Sequence, residues 1–377
     1  MKIVHICNGA QGNSPFYKFL FDALKKNNIE QTIIIPVLKN STVDYEDIHC
    51  EYFQRDADII SRLRFKRKIK KLTQFTIEKV DVSTFDSIHA HTWFSDGAVA
   101  FNLHKKYGIP YIVAVRNTDV NLFFKYFIHL RKLGYQILEN AAQIIFISPA
   151  YEERLVNQLL PLRIKDKISN KISVIPNGAF PFWLNSRFSK GILTNPVKLL
   201  SVGSVTSNKN FITLCKAVEL LRIQDIDVEL TIVGKGYLDN SSYLKKLENF
   251  ISNKKYITLI EKKNQEELID FYRTHDIFVL PSHTESFGLV YIEALTQGLP
   301  VVYTQKQGID GYFEPETAGI SVNSHSITDI ARAIRTIIEN YSTFTNNVNQ
   351  LDFSDFNWEN ISKRYKELIN LITTNLM

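Results

Sequence analysis

Short, continuous apolar runs alternate along this chain with stretches in which apolar residues return every three or four positions. The runs are Lys2–Cys7, Gln31–Val37, Ser87–His91, Ile109–Val115, Ala141–Ile147 and Lys171–Pro176, and then, after a break, Val197–Gly203, Val228–Gly236, Ile257–Ile260, Asp276–Leu280 and Pro300–Tyr303. Runs this short, apolar and closed by glycine, proline or polar residues predict strands buried on both faces of a parallel sheet. Between them, Phe16–Leu24 carries the helical spacing and starts well at Ser14-Pro15, proline being suited to the first helical position. Further helices are expected from Trp93 and Gly97 to Tyr107, through Leu159, over Phe211–Leu221 with Asn210 as cap, over Gln265–Tyr272 and over Glu359–Ile372. Strand and helix in alternation predict an α/β protein with doubly wound parallel sheets. Phe180–Pro196 has no clear period and holds two prolines, which marks a boundary between domains at 1–180 and 190–355. No repeat of 20 to 50 residues is visible.

Composition narrows the class without changing this picture. The 377 residues suffice for two domains of ordinary size. With 45% hydrophobic and 22% charged residues the chain is neither disordered nor fibrous. Lys and Arg number 45 against 39 Asp and Glu, a net +6 that suits anionic ligands or an anionic membrane surface but does not by itself point to nucleic acid. Cys7, Cys50 and Cys215 are scattered, which argues against a disulfide framework or a zinc site. The first apolar run is too short for a signal-peptide core, and no stretch reaches the ~18 apolar residues needed to span a bilayer. A protein of the reducing cytoplasm is the expectation.

The chemistry gathers around Pro281–Pro300, which reads as strand, loop, short helix and strand: Asp276–Leu280 before it, Gly298 and Pro300 at the helix stop, and Val301–Tyr303 after it. In such a unit ligands bind at the carboxyl end of the strand, where loop and helix start present unpaired backbone N–H groups. Those around Ser286, Phe287, Gly288, Leu289 and Val290 suit phosphate or sugar oxygens, and Gly288 permits close approach. If Glu285 and Glu293 lay on one helix they would stand about 12 Å apart, at ~1.5 Å rise per residue. That is too far for one metal or for an acid/base pair across one bond, where ~5 to 9.5 Å is usual. It suits two hydroxyl-bearing rings with a diphosphate between them.

The string Ser-x-x-Glu-Ser-Phe-Gly-Leu-Val-x-x-Glu-Ala-x-x-x-Gly-x-Pro-Val-Val, from Ser282 to Val302, resembles glycosyltransferase family 4, retaining enzymes of GT-B fold, and Glu285 and Glu293 match its Glu-x7-Glu element. The resemblance implies two Rossmann-like domains facing each other across a deep cleft, an acceptor side in the first and a nucleotide-sugar site in the second, with the 356–377 segment crossing back onto the first. It implies that Glu293 holds the ribose hydroxyls, that Glu285 lies at the sugar ring, and that Gly203, Ser204, Lys209, Gly234 and Lys262 line the donor site. Lys209 matches the family's diphosphate-clamping lysine; Ser204 stands where arginine is usual and Asn210 where glycine is usual. The Gly9-x-x-Gly12 loop after the first strand is either a plain turn or, as the resemblance implies, a loop facing the donor diphosphate.

On the acceptor side the resemblance points to His91 and to the strand-end segment Arg116-Asn117-Thr118-Asp119, with Arg116, Asn117 and Asp119 as contacts. Family members commonly carry His-Gly before Thr-Asp, and this chain has Arg116-Asn117. Arginine stays charged at neutral pH and cannot carry a proton, which leaves it to bind the departing phosphate or an anionic acceptor. His91 is a candidate for the missing polar duty or a structural histidine at a strand end. No Asp-x-Asp element stands in a suitable place, so metal-independent chemistry is expected, with no cofactor beyond the UDP- or GDP-sugar donor and a glycan or lipid-linked acceptor. Arg62–Leu72 holds seven cations interleaved with Leu63, Ile69 and Leu72. It reads as a solvated helix face or, through Arg62–Lys71, as peripheral contact with anionic lipid at the inner membrane face; no aromatic platform supports nucleic acid. A catalytically silent, partner-binding relative of such enzymes is the rival reading.

Overall fold

The computed structural model describes residues 1–10, 15–38, 45, 47–55, 65–236 and 241–374. The chain divides into two compact units. Unit 1 comprises residues 1–147, 152–178 and 355–377; unit 2 comprises 148–151 and 179–354.

Unit 1 is built on a parallel sheet of β1 (Lys2–Ile6), β2 (Glu30–Leu38), β3 (His49–Arg55), β4 (Ser87–Ala90), β5 (Tyr111–Val115), β6 (Gln143–Phe146) and β7 (Ile172–Val174) in the order β3-β2-β1-β4-β5-β6-β7. Every residue of β4, β5 and β6 is buried, as continuous apolar runs require when helices cover both faces. Chain order reverses between β1 and β4, which are paired in register Ile3 to Ser87 and His5 to His89. Such a reversal opens a crevice at the carboxyl ends of the two strands.

Unit 2 repeats the design with β8 (Val197–Val202), β9 (Val228–Val233), β10 (Ile257–Ile260), β11 (Ile277–Leu280), β12 (Val301–Thr304) and β13 (Gly319–Val322) in the order β10-β9-β8-β11-β12-β13, all parallel. Here the reversal falls between β8 and β11. The proline-containing stretch after residue 179 is no bare linker. It forms a helix, Pro181–Asn185, whose Trp183 is fully buried against Tyr272, and the Ser186 carbonyl accepts from Arg273 and Gln297.

The last helix, Trp358–Thr374, buries Trp358, Ile361, Tyr365, Ile369 and Ile372 in the core of unit 1, a spacing of three and four that places them on one face. It packs beside the first helix, Pro15–Lys26, through Phe16 and Phe19 against Trp358 and through Asn27, which donates to Ser362 at 2.6 Å. Gly178 faces the Trp358 indole so closely that a Cβ there would lie 2.3 Å from it.

Two local expectations are corrected. Asn210 does not cap its helix, Phe211–Ile223, with its side chain. It sits at φ +59°, and its amide instead donates to the Pro281 and Ser324 carbonyls, tying the loop after β8 to the strand ends beside it. Glu285 and Glu293 do not share a helix, because the helix runs from Leu289 to Thr296 and Glu285 lies in the turn before it.

Candidate functional site

The carboxyl ends of β8 and β11 converge on one ion pair. Lys209, in the loop after β8, donates to Glu285 Oε2 at 2.5 Å, and both side chains are largely shielded, at 21% and 12% exposed. Asn208 clamps the two loops together: its backbone carbonyl accepts from the His283 amide, its Oδ1 from the Thr284 amide and hydroxyl, and its Nδ2 donates to the Thr284 carbonyl. From the other side the Glu285 amide donates to Gln307 Oε1 and its carbonyl accepts from the Gly308 amide. The loops carrying the carboxylate and the ammonium are thus held from two sides, at the chain reversal where α/β sheets bind ligands.

Gly288 precedes the helix at φ +80°, with Tyr291 ring atoms 2.5 Å and Glu285 Cγ 3.1 Å from where a Cβ would stand. Only glycine takes that conformation cheaply. No side chain caps the helix that follows, so its first-turn N–H groups lack partners within the helix and favour an anion there. Phe287 is buried, while Ser286, Gly288, Leu289 and Val290 are half-buried.

Glu293, one turn further on, is buried and accepts a hydrogen bond from the Tyr272 hydroxyl at 3.0 Å. Burial raises its carboxyl to about 7, and the Tyr272 bond opposes the rise. At the carboxyl ends of β8 and β9 lies a cavity of about 430 Å³ lined by Gly203, Ser204, Gly234, Lys235, Lys262 and Lys263 among others. Gly234 is there for packing: a Cβ would fall 1.9 Å from the Gly203 carbonyl oxygen. The triplet Asp225-Ile226-Asp227 stands at the amino end of β9, away from this rim, with Asp227 paired to Arg222 at 2.7 Å.

In unit 1 the reversal between β1 and β4 is bridged in a similar way. Asn8, after β1, donates through its amide and its side chain, the latter at 2.5 Å, to Asp96 in the first turn of the helix Ser95–Tyr107. Asp96 is fully buried, and desolvation lifts its carboxyl to about 7 against the hydrogen bonds from Asn8. Nothing local in the sequence singles it out, because its partner Asn8 lies 88 positions away. Gly9 is held by contact with Tyr17, whose hydroxyl lies 2.3 Å from the position of a Cβ. Gly12 lies outside the described residues.

Two of the residues expected on the acceptor side turn inward. His91 is not at an accessible rim: it is 0% exposed, and its Nε2 lies 3.0 Å from Nδ1 of His5, also buried, with His89 stacked alongside. Burial holds His5 down at about 3 and keeps His89 and His91 well below the usual imidazole range, so all three are neutral core residues. Asp119 is likewise buried, and its carboxylate accepts from the backbone amides of Trp93, Phe94 and Arg116. Its role is to hold the ends of β4 and β5 together. Arg116 and Asn117 are half-buried beyond β5, with Asn117 Oδ1 accepting from Asn121 at 2.6 Å.

The basic segment forms a helix over Phe65–Lys79; Arg62, Leu63 and Arg64 lie outside the described residues. Phe65, Ile69, Leu72 and Thr76 face inward, and Lys66, Arg67, Lys70 and Lys71 are exposed. A groove of about 470 Å³ runs beside it, lined by Lys66, Ile69, Lys70, His129 and Lys132 among others. On the same unit Tyr126 and Ile128 are 64% and 65% exposed. No helix among the described residues is long and apolar enough to cross a membrane.

Residues 19–179 match the family described as Glycosyltransferase Family 4, and residues 184–369 the family described as Glycosyl transferases group 1. An uncharacterized glycosyltransferase of Methanocaldococcus jannaschii is 30% identical over 94% of this chain and 90% of its own length. A D-inositol 3-phosphate glycosyltransferase of Paenarthrobacter aurescens is 27% identical over 74% of this chain and 72% of its own. Among solved structures, sucrose-phosphate synthase from Thermosynechococcus elongatus superimposes with a TM-score of 0.76 at 20% identity over the whole of both chains. HepE of Anabaena, solved with UDP and glucose, gives 0.69 at 16% identity over 98% of this chain and 99% of its own.

Proposed function

The chain belongs to the family 4 glycosyltransferases of GT-B fold, which take a sugar from a nucleotide-sugar donor with retention, and on that premise we propose that it moves a hexose or N-acetylhexosamine from a UDP- or GDP-sugar to a glycan or lipid-linked acceptor in the synthesis of a cell-surface polysaccharide or glycoconjugate. The observation that carries this reading is the Lys209–Glu285 pair, held by Asn208 and Gln307 where β8 and β11 end. The donor nucleotide occupies the cavity beside Gly203, Ser204 and Lys262, with the ribose hydroxyls on Glu293 and the diphosphate against Lys209, Ser204 and the N–H groups from Ser286 to Val290. In the transfer the bond from the anomeric carbon to the phosphate oxygen breaks and one to the acceptor oxygen forms on the same face. The acceptor's proton passes to the departing diphosphate, so no side-chain base is required. Charge stabilisation of the leaving group supplies the largest share of catalysis.

The reaction proceeds without a metal. The charge on the diphosphate is met by Lys209 and backbone amides, and Asp225 and Asp227 stand at the opposite edge of their sheet from the Lys209 loop. Turnover undiminished by EDTA is the expected result.

Unit 1 receives the acceptor, and its basic helix lies at the inner face of an anionic membrane. Exposed Lys66, Arg67, Lys70 and Lys71, with Tyr126 and Ile128 exposed on the same unit, supply the charge and the interfacial apolar groups such contact needs. Co-sedimentation with vesicles containing phosphatidylglycerol, lost when Lys70 and Lys71 become Glu, tests this part independently of catalysis.

Calorimetric titration with UDP and GDP tests the donor assignment. One nucleotide binds to the wild-type protein, and Lys209→Ala and Glu293→Gln each weaken it by about tenfold, the worth of one charge-assisted bond. Failure of both nucleotides to bind would remove the assignment. Nucleotide binding without turnover of any sugar donor would favour the silent, partner-binding relative, to which Ser204 and Arg116 point by departing from the usual pattern.

A further inference from the structure

Beyond β5 one guanidinium has no carboxylate at ion-pair distance among the described residues. Arg116 is half-buried, yet among the described residues its guanidinium forms no ion pair with a carboxylate. Asp119, the nearest acid in its own loop, has its carboxylate occupied by three backbone amides. Neutral groups hold the arginine instead. Nε donates to the His91 carbonyl at 3.3 Å, beyond β4, and Nη1 donates to Asn177 Oδ1 at 2.9 Å, beyond β7. The Phe16 ring lies 5.7 Å from the guanidinium carbon. The side chain is therefore fixed along the carboxyl rim of the sheet from three elements, and among the described residues two of its five N–H donors are used.

Shielding a charge from water without a partner is costly. A fork of N–H donors fixed in place suits the two oxygens of a carboxylate or phosphate. Had a surface cation been all that was needed, nothing would require the Asn177 and His91 anchors. Buried His5, His89 and His91 are neutral and add no positive charge, so the positive charge at this strand end is that of Arg116, felt also by the Asp119 carboxylate of its own loop.

We infer that Arg116 binds an oxyanion, carboxylate or phosphate, carried by the acceptor sugar, and so selects a charged sugar over its neutral counterpart. The identification of the ligand as a sugar rests on the transferase reading above. The donor's diphosphate is not the anion meant, since that group is assigned to Lys209 and the loops of unit 2.

The test is calorimetric and kinetic, on the full chain, with wild type, Arg116→Gln and Arg116→Lys checked for folding by circular dichroism. Glucose 6-phosphate and glucuronate are titrated beside glucose, and UDP serves as the control. At least tenfold tighter binding of a charged sugar than of glucose is expected, abolished in Arg116→Gln and partly kept in Arg116→Lys, with UDP affinity unchanged. Comparing kcat/KM for glucose 6-phosphate, glucuronate and glucose as acceptors, with whichever nucleotide sugar turns over, repeats the comparison under turnover. A preference for a charged acceptor that is lost in Arg116→Gln is the expected result. Equal binding of glucose and the charged sugars, a preference that survives in Arg116→Gln, or an equal loss of UDP affinity overturns the inference. Absence of turnover with every donor, while the Arg116-dependent preference persists, would instead count against the transferase reading.

Discussion

Glu293 is asked to be a ligand while being buried, and its proton shows the tension. Desolvation raises the carboxyl from 4.5 to about 7. In the folded state it therefore holds a proton between those values that the unfolded chain gives up. Its share of stability is fully present below about 4.5 and is lost as pH rises through about 7, a change on the order of 3 kcal/mol. Glu293→Gln removes that slope, so urea titrations of variant and wild type should converge or cross as pH goes from 5 to 8, with the variant gaining relative stability. Donor binding runs the other way. If ribose hydroxyls donate to the carboxylate, as proposed, donor KM should fall as pH rises through about 7 in wild type and stay flat in Glu293→Gln. A wild-type donor KM independent of pH between 6 and 8 would contradict the ribose role.

At this scale the legible residues were those in one contiguous string. Glu285 and Glu293 stand in it, and Lys209 follows a strand ending in glycine. Asp96, His5 and Asn177 were not legible, because their partners are 88, 86 and 61 positions away and no local spacing encodes such pairings. His91 and Asp119 were legible as strand-end polar residues, but sequence does not say that their polar atoms turn inward to bind His5 and backbone amides.

Among elements, the loop before the helix Leu289–Thr296 is the one whose backbone form matters most. Gly288 stands at φ +80° with Tyr291 and Glu285 where a side chain would go. Gly288→Ala should cost about 1–2 kcal/mol from the left-handed conformation, more from the clash, and should raise donor KM because Glu285 is displaced. Thermal melts and donor kinetics check both. Gly234→Ala should be worse for folding than for chemistry, since its Cβ meets the Gly203 carbonyl, part of the β8 exit. Loss of Tm with kcat unchanged in the folded fraction is the expected outcome. Interior strands were readable because burial on both faces makes them apolar throughout. β3 and β13 were not: β3 is the polar strand HCEYFQR, and β13 is only the four residues GISV, two of them glycine and serine, so neither presents a continuous apolar run.

For the whole molecule, chain order and unit membership diverge at the C-terminus. The chain leaves unit 2 near Ser354, and its last helix completes the core of unit 1. An amphipathic period announces that helix but not which unit it covers; the contacts of Trp358 with Phe16, Phe19 and Gly178 decide it. Trp358→Ala should destabilise unit 1 by roughly 3–5 kcal/mol, as deletion of a buried tryptophan does. Proteolysis under native conditions should then cut first within unit 1, and preferential cutting of unit 2 would contradict this packing.

The proposed reaction draws its sugar from a nucleotide donor held by Lys209 and Glu285. Nucleotide released from a panel of UDP- and GDP-sugars, with acceptor present, measures it directly in wild type, Glu285→Gln and Lys209→Ala. The account predicts turnover of at least one donor and a fall in kcat on the order of 10²–10³ in each variant, the size of effect seen when a charge-stabilising group is removed. Undiminished turnover in both variants, or release from no donor by the wild-type protein, would contradict it.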